Sequence, residues 1–254
     1  MSAGGVYHVA AATIPTRSIT NKCIVLDLDL TLISTQDEVK SLKDLKILVD
    51  PRLISLRNRV YYLTIDDLEK PGIGTKYDFW GVTRPHIQEF LLFCFSYFKL
   101  VTVWSAGKRP YVEAIIDQIF KDLPKPHIVF SYDEIMIKSK DEWLKPLTKM
   151  IESSPISRKY MSLSNTLALD DNFTTFHLTN PENGVLIPAY LPALSVDALS
   201  RDDHALLQFK HWLLLPEVVN SPDVRLLDKS KIFSTSLNVY MTQPTPSYGF
   251  TSSI

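Results

Sequence analysis

Cys23–Thr31 reads CIVLDLDLT, an apolar run that closes on two aspartates and a threonine. An unbroken apolar run suits a strand buried on both faces, the habit of a parallel sheet. Asp27 falls near the C-terminal end of that strand. Asp27 and Asp29 are two residues apart, so in extended backbone they point the same way and can converge on one site. Two carboxylates in one site repel each other, and a hard cation such as Mg²⁺ relieves the repulsion. The alternative is a pair of solvated loop acids.

Working outward, Leu100–Trp104 (LVTVW) is a second buried strand, broken by Ser105-Ala106-Gly107. Leu167–Leu169 is a third and runs into Asp170-Asp171. Ile128–Phe130, Ile135–Ile137 and Gly184–Ile187 are shorter strand candidates. The stretch Arg84–Phe98 is expected to be helical, with Pro85 in its first turn. Its Ile87, Phe90, Leu91, Cys94, Phe95 and Phe98 share one face, which reads as core. Pro110 opens another helix, whose face is Val112, Ile115, Ile116, Ile119 and Phe120, and a third covers about Asp202 to Leu215. Strands alternating with helices imply a parallel α/β sheet. Between residues 34 and 79 the pattern changes. The runs Arg52–Leu56 and Val60–Ile65, joined around Arg57-Asn58, read as a β-hairpin insert, followed by a loop at Pro71, Gly72 and Gly74.

The chain has 254 residues, 45% of them hydrophobic and 22% charged, so it can bury a core without disulfides. A net charge of -1 argues against the basic footprint of a nucleic-acid binder and against a polybasic membrane surface. No direct nucleic-acid binding and no membrane association are expected. The longest apolar stretch, Phe90–Trp104, is interrupted by Ser96 and Lys99 and is too short to span a bilayer. Cys23 and Cys94 sit in apolar runs and read as buried thiols of a reducing compartment, so an intracellular, nuclear or cytoplasmic protein is expected. Residues 1–21 are expected to be a flexible segment, 22–215 the main domain and 216–254 a C-terminal extension. From about residue 241 that extension is rich in Ser, Thr, Pro and Gly and is expected to be disordered.

Other residues can complete a site at the strand ends. Ser105 follows a strand and precedes a helix, so it reads either as a turn serine or as a residue whose hydroxyl, with the exposed N–H groups there, suits phosphate oxygens. Lys145 reads either as a surface residue or as the cation that such a site needs. Open parallel sheets gather ligands at the carboxyl ends of their strands, where Asp27, Asp29, Asp170 and Asp171 would meet.

The order D-x-D-x-T, strand-Ser, Lys, strand-Asp-Asp resembles the haloacid dehalogenase superfamily of phosphotransferases. Within it the chain resembles the branch that dephosphorylates the C-terminal domain of RNA polymerase II, with the related NLI-interacting-factor-like phosphatases. Thr83-Arg84-Pro85-His86 with Glu89-Phe90-Leu91 is similar to the family's R-P-x-x-x-E-F-L helix start. Ser105-Ala106-Gly107 with Arg109 and Tyr111 is similar to its second motif. Leu144-Lys145-Pro146-Leu147 resembles the segment with the catalytic lysine, Leu169-Asp170-Asp171 the fourth motif, and Asn180-Pro181-Glu182-Asn183-Gly184 the stretch after it. Five positions depart from the pattern. Leu30 stands where a small or polar residue is usual, Ser105 replaces Thr, and Pro146 replaces Asp. Asp133 and Glu134 lie where relatives often carry basic residues that meet substrate.

The resemblance implies a Rossmann-like three-layer α/β domain, with the insert over the site. It implies that Asp27 is the nucleophile, Asp29 the general acid and base, and Lys145 a catalytic cation. Thr31 and Ser105 would bind phosphate oxygens. Asp27, the Asp29 backbone, Asp170 and Asp171 would hold Mg²⁺. The implied partner is a phosphoprotein, with a tail like that of RNA polymerase II in view. Two alternatives stay open: a phosphatase of a small molecule or nucleic-acid end, and a non-catalytic binding module of the same fold.

Overall fold

The apolar run after Lys22 becomes strand β1 (Cys23–Leu26), every residue of which is buried. The computed structural model describes residues 18–69, 72, 74–139 and 142–234. After β1 come β2 (Ile33–Gln36), α1 (Val39–Asp44), α2 (Ile54–Arg57), β3 (Val60–Asp66), β4 (Lys76–Thr83), α3 (Ile87–Tyr97), β5 (Leu100–Trp104), α4 (Arg109–Ile119) and β6 (Ile128–Phe130). There follow β7 (Met136–Ser139), β8 (Glu142–Leu144), α5 (Leu147–Ile151), α6 (Pro155–Tyr160), β9 (Thr166–Asp170), β10 (Gly184–Leu186), α7 (Val196–Ser200), α8 (Ala205–Leu213) and α9 (Pro216–Val219).

Five strands form one sheet in the order β10-β9-β1-β5-β6, with every pairing parallel. From β1 the chain builds outward through β5 and β6, then returns to the other side for β9 and β10. The order therefore reverses beside β1, and ligands of open α/β sheets bind at such a point. Alternate residues of β1 feed two cores. Ile24 and Leu26 pack with α3, α4 and α8, whereas Cys23 and Val25 pack with Leu147, Met150 and Met161 around α5 and α6. Helices thus cover both faces, giving the expected three-layer α/β fold. Both cysteines are free and buried, and burial pushes the Cys23 thiol up to about 12.

The insert differs from expectation. Val60–Asp66 is a strand, but its partner is Lys76–Thr83, and β2 completes a three-stranded antiparallel sheet in the order β2-β4-β3. Residues 52–56 are not a strand. Pro51 has no N–H to give a ladder, and the Asp50 carboxylate accepts the Arg52 N–H at 2.9 Å, which caps a 3-10 turn leading into α2.

Ile19 and Thr20 donate their backbone N–H groups to Ser96 and Tyr97 at the end of α3. Beyond α9, Val224 and Ile232 are buried in the larger core. The flexibility expected of residues 1–17 and the disorder expected from about residue 241 concern segments outside the described residues. Among the described residues, no helix is long and apolar enough to cross a membrane.

Candidate active site

Strands β1 and β9 are hydrogen-bonded neighbours, so the residues at their C-terminal ends come together. Asp27 follows β1 and donates its N–H to the Leu169 carbonyl at 3.0 Å. Asp170 closes β9. The Asp27 and Asp170 side chains are both buried, and Lys145 lies between them. Its Nζ donates to Asp27 Oδ1 at 2.6 Å and to Asp170 Oδ2 at 2.7 Å. The lysine is held from behind, since its own N–H donates to the Thr175 carbonyl at 2.7 Å. Asn180 Oδ1 accepts the Leu147 N–H at 3.0 Å, fixing the start of the next helix.

Carboxylate oxygens of Asp27, Asp170 and Asp171 lie within 4.8 Å of one another. Burial pushes the Asp27 carboxyl up to about 8; Lys145 opposes the rise, and Asp170 and Asp29 add to it. Asp171 is pushed up by burial and then by Asp170. Burial disfavours the Lys145 charge, yet its pKa moves up because Asp170 and Asp27 face it. Three carboxyls face one lysine, so ionising all of them leaves negative charge that a bound cation would offset. The donors are all oxygen, a set that suits a hard divalent cation. The residues therefore fit Mg²⁺.

Asp29 sits in a second network. Its Oδ1 accepts from Tyr111 Oη at 2.5 Å and from Thr35 Oγ1 at 3.0 Å. Thr35 Oγ1 also lies 2.7 Å from Tyr61 Oη and 2.6 Å from Tyr111 Oη. Burial raises the Asp29 carboxyl, while the Tyr111 and Thr35 hydrogen bonds hold it down. Burial also pushes both tyrosines above their ordinary value, so they stay neutral donors. Tyr61 lies opposite Gly81 in the β3–β4 ladder. A Cβ at Gly81 would crowd the Tyr61 hydroxyl and meet the Ser34 carbonyl at 2.6 Å, so the close approach requires glycine.

The chain turns between the two networks at Leu30, whose φ of 60° lies in the left-handed region where bulky residues are rare. Its N–H donates to the Ile33 carbonyl at 2.7 Å and its carbonyl accepts the Tyr190 N–H at 2.6 Å. Thr31 Oγ1 donates to Asp171 Oδ1 and accepts the Asp171 N–H, both at 3.1 Å. Thr31 thus ties the loop after β1 to the loop after β9. Ser105, buried at the end of β5, accepts the Gly107 N–H at 3.0 Å. Asp133 and Glu134 are taken up by Arg109, which donates to them at 3.1 and 2.7 Å.

Sequence reasoning gave no role to Thr35 and Tyr61, or to Tyr111 beyond its place in a motif. Arg84, fully buried behind the loop, likewise had no role beyond its place in a motif. Arg84 donates to Asp203 at 2.7 and 3.0 Å, to the Thr31 carbonyl at 3.0 Å and to the Pro188 carbonyl at 2.9 Å.

The model of the NLI interacting factor-like phosphatase family matches residues 22–225. The chain belongs to this family. No curated protein matches the chain at a significant level. Among solved structures, Fcp1, an essential RNA polymerase II CTD phosphatase, is 17% identical with a TM-score of 0.51, covering 82% of this chain and 58% of that one. That likeness supports the haloacid dehalogenase-like fold. A variant of the fission yeast RNA polymerase II CTD phosphatase Fcp1 bound to beryllium fluoride is 16% identical with a TM-score of 0.49, covering 66% of this chain and 42% of that one. The chain spans about half the length of the solved chains it matches.

Proposed function

We propose that residues 22–215 form a Mg²⁺-dependent phosphatase that hydrolyses phosphoserine or phosphothreonine monoesters through an aspartyl-phosphate on Asp27. The observation that carries this reading is the Lys145 ammonium bridging Asp27 and Asp170 inside a buried acidic cluster at the strand ends. Such a lysine holds the nucleophile and neutralises charge that gathers on a transferring phosphoryl group.

The Asp27 carboxylate attacks phosphorus in line. A bond forms from its oxygen to phosphorus, and the bond from phosphorus to the leaving oxygen breaks. Asp29 gives its proton to that leaving oxygen. In the second half Asp29 takes a proton from water, whose oxygen attacks the same phosphorus. The Asp27–phosphorus bond breaks and inorganic phosphate leaves. Tyr111 and Thr35 hold the Asp29 carboxyl in place through both halves. Asp27, the Asp29 backbone carbonyl, Asp170 and Asp171 would hold Mg²⁺. When bound, the ion offsets charge on the phosphoryl oxygens. Thr31 fixes Asp171, and in this reading Thr31 and Ser105 meet the phosphate oxygens.

A peptide substrate is favoured by the surroundings. Residues 33–83 add a small sheet and no separate cap domain among the described residues. An open pocket of about 690 Å³ begins at Asp171 and is lined in part by Phe173, Phe176, Leu186 and Pro188. Such a surface suits apolar or proline-containing residues flanking a phosphorylated side chain. A polymerase-tail-like phosphopeptide is therefore the first substrate to try. The test is a panel of phosphoserine and phosphothreonine peptides, phosphometabolites and 5′-phosphorylated oligonucleotides, each with Mg²⁺ and with EDTA. Mg²⁺-dependent turnover of the peptides is expected. Turnover confined to metabolites or oligonucleotides would overturn the substrate assignment.

A further inference from the structure

A second cluster of metal-binding side chains lies outside the acidic site. His86 immediately precedes α3, while Asp202 and His204 lie in the turn between α7 and α8. His86 Nε2 is 2.9 Å from Asp202 Oδ1, and His204 Nδ1 is 3.5 Å from Asp202 Oδ2. One nitrogen of each imidazole and one Asp202 oxygen all lie within 4.8 Å of one another. The two rings are stacked, with centroids 5.8 Å apart and planes 25° apart.

We propose that His86, Asp202 and His204 form a site for a transition cation such as Zn²⁺, with a solvent molecule as fourth ligand. Two imidazoles and one carboxylate are a recurrent zinc donor set, and nitrogen donors discriminate against Mg²⁺. The site is therefore chemically distinct from the all-oxygen cluster around Asp27. A tetrahedral shell with bonds of about 2.05 Å spaces its donors about 3.4 Å apart. The separations of 2.9 and 3.5 Å run to the two different oxygens of Asp202, so a turn of this exposed carboxylate brings one oxygen within ligand spacing of both imidazoles. The third closes by rotation of rings that are partly exposed, at 29% for His86 and 45% for His204.

The backbone that carries the three ligands is held independently of any ion. Asp203 stands between Asp202 and His204 and is clamped by the buried Arg84, two residues before His86. Asp203 Oδ1 also accepts the Ala205 N–H at 3.0 Å, fixing the start of α8. His86 adopts a left-handed φ of 64°. Non-glycine residues held in that region concentrate at ligand clamps. A bound ion would staple the start of α3 to the α7–α8 turn, beside the Arg84 bonds that hold the Thr31 and Pro188 carbonyls. The assignment does not depend on the phosphatase reading.

The experiment titrates Zn²⁺ into the full chain in the presence of excess Mg²⁺, read by calorimetry and by thermal unfolding. One equivalent should bind. When free Zn²⁺ exceeds Kd about a hundredfold, Tm should rise by roughly 5–10 °C. His204→Ala and His86→Asn should each weaken binding at least about tenfold; asparagine tolerates the left-handed backbone at position 86. Absence of a saturable event, or unchanged binding in both variants, overturns the proposal. If a variant fails to fold, Cu²⁺ bound to the wild-type chain decides by electron paramagnetic resonance. Splitting from two imidazole nitrogens supports the site, and an oxygen-only spectrum overturns it.

Discussion

Replacing Arg84 with leucine should destabilise the fold by about 3–4 kcal/mol. Arg84 is fully buried and its guanidinium makes four hydrogen bonds, two to Asp203 and one each to the Thr31 and Pro188 carbonyls. Removing one partner of a buried ion pair costs about 3–5 kcal/mol, because the other charge is left uncompensated. The Asp203 side chain keeps 29% of its exposure, so water partly replaces the guanidinium and the lower half of that range applies. For a chain of this size the loss corresponds to roughly 6–16 °C in Tm. Lysine should recover little, since an ammonium cannot reproduce a planar fork that reaches three partners. The double variant Arg84→Leu/Asp203→Leu should be milder than Arg84→Leu alone, because no carboxylate remains unpaired. The assay is urea unfolding of all four proteins in Mg²⁺, with the slope m compared alongside the midpoint. An Arg84→Leu protein within about 1 kcal/mol of wild type would refute the claim that this residue anchors the loop carrying Thr31.

Asp29→Asn should slow phosphoserine hydrolysis far more than nitrophenyl phosphate cleavage in single-turnover measurements, because a nitrophenolate leaves without a proton; equal losses would contradict the general-acid role. Tyr111→Phe removes one hydrogen bond to the Asp29 carboxylate, worth about 1.5–3 kcal/mol. It should lower kcat for alkyl phosphoesters roughly ten- to hundredfold with KM nearly unchanged, and a change confined to KM would refute a positioning role. The carboxyls of Asp27, Asp29 and Asp171 are all raised in the folded chain. The folded state therefore binds protons more tightly than the unfolded chain. That contribution is full below about pH 4 and is lost as pH rises toward about 8. In EDTA, Tm should decline across this window, and the rise in Tm on adding Mg²⁺ should grow with pH; a Mg²⁺ effect equal at pH 5 and pH 8 would count against the shared site.

Where local pattern and tertiary context agree, the sequence sufficed. Leu100–Trp104 and Ile128–Phe130 are strands with the expected bounds, because a run buried on both faces carries its own signal. Asp27, Lys145, Asp170 and Asp171 come together because each stands at or just beyond the end of an element. The insert was harder. Residues 52–56 look β-rich locally, yet Pro51 and the Asp50 cap impose a turn. The true partner, Lys76–Thr83, begins with charged residues and contains Gly81, and both features weaken a strand signal. The partners of Asp29 come from β2 and α4, with Tyr61 of β3 behind Thr35, and Arg84 finds Asp203 across more than a hundred residues of chain. Such contacts are set by packing, so no local spacing announces them.

Phosphorylation of Asp27 is the step on which the proposed activity depends most directly. Rapid quench of a ³²P-labelled phosphoserine peptide with the chain and Mg²⁺ should leave acid-stable, hydroxylamine-labile label on the peptide containing Asp27. Asp27→Asn should show no label and lose at least about 10⁴-fold in turnover. Phosphate release from the wild type with no label on Asp27, or turnover retained by purified Asp27→Asn protein, would contradict it.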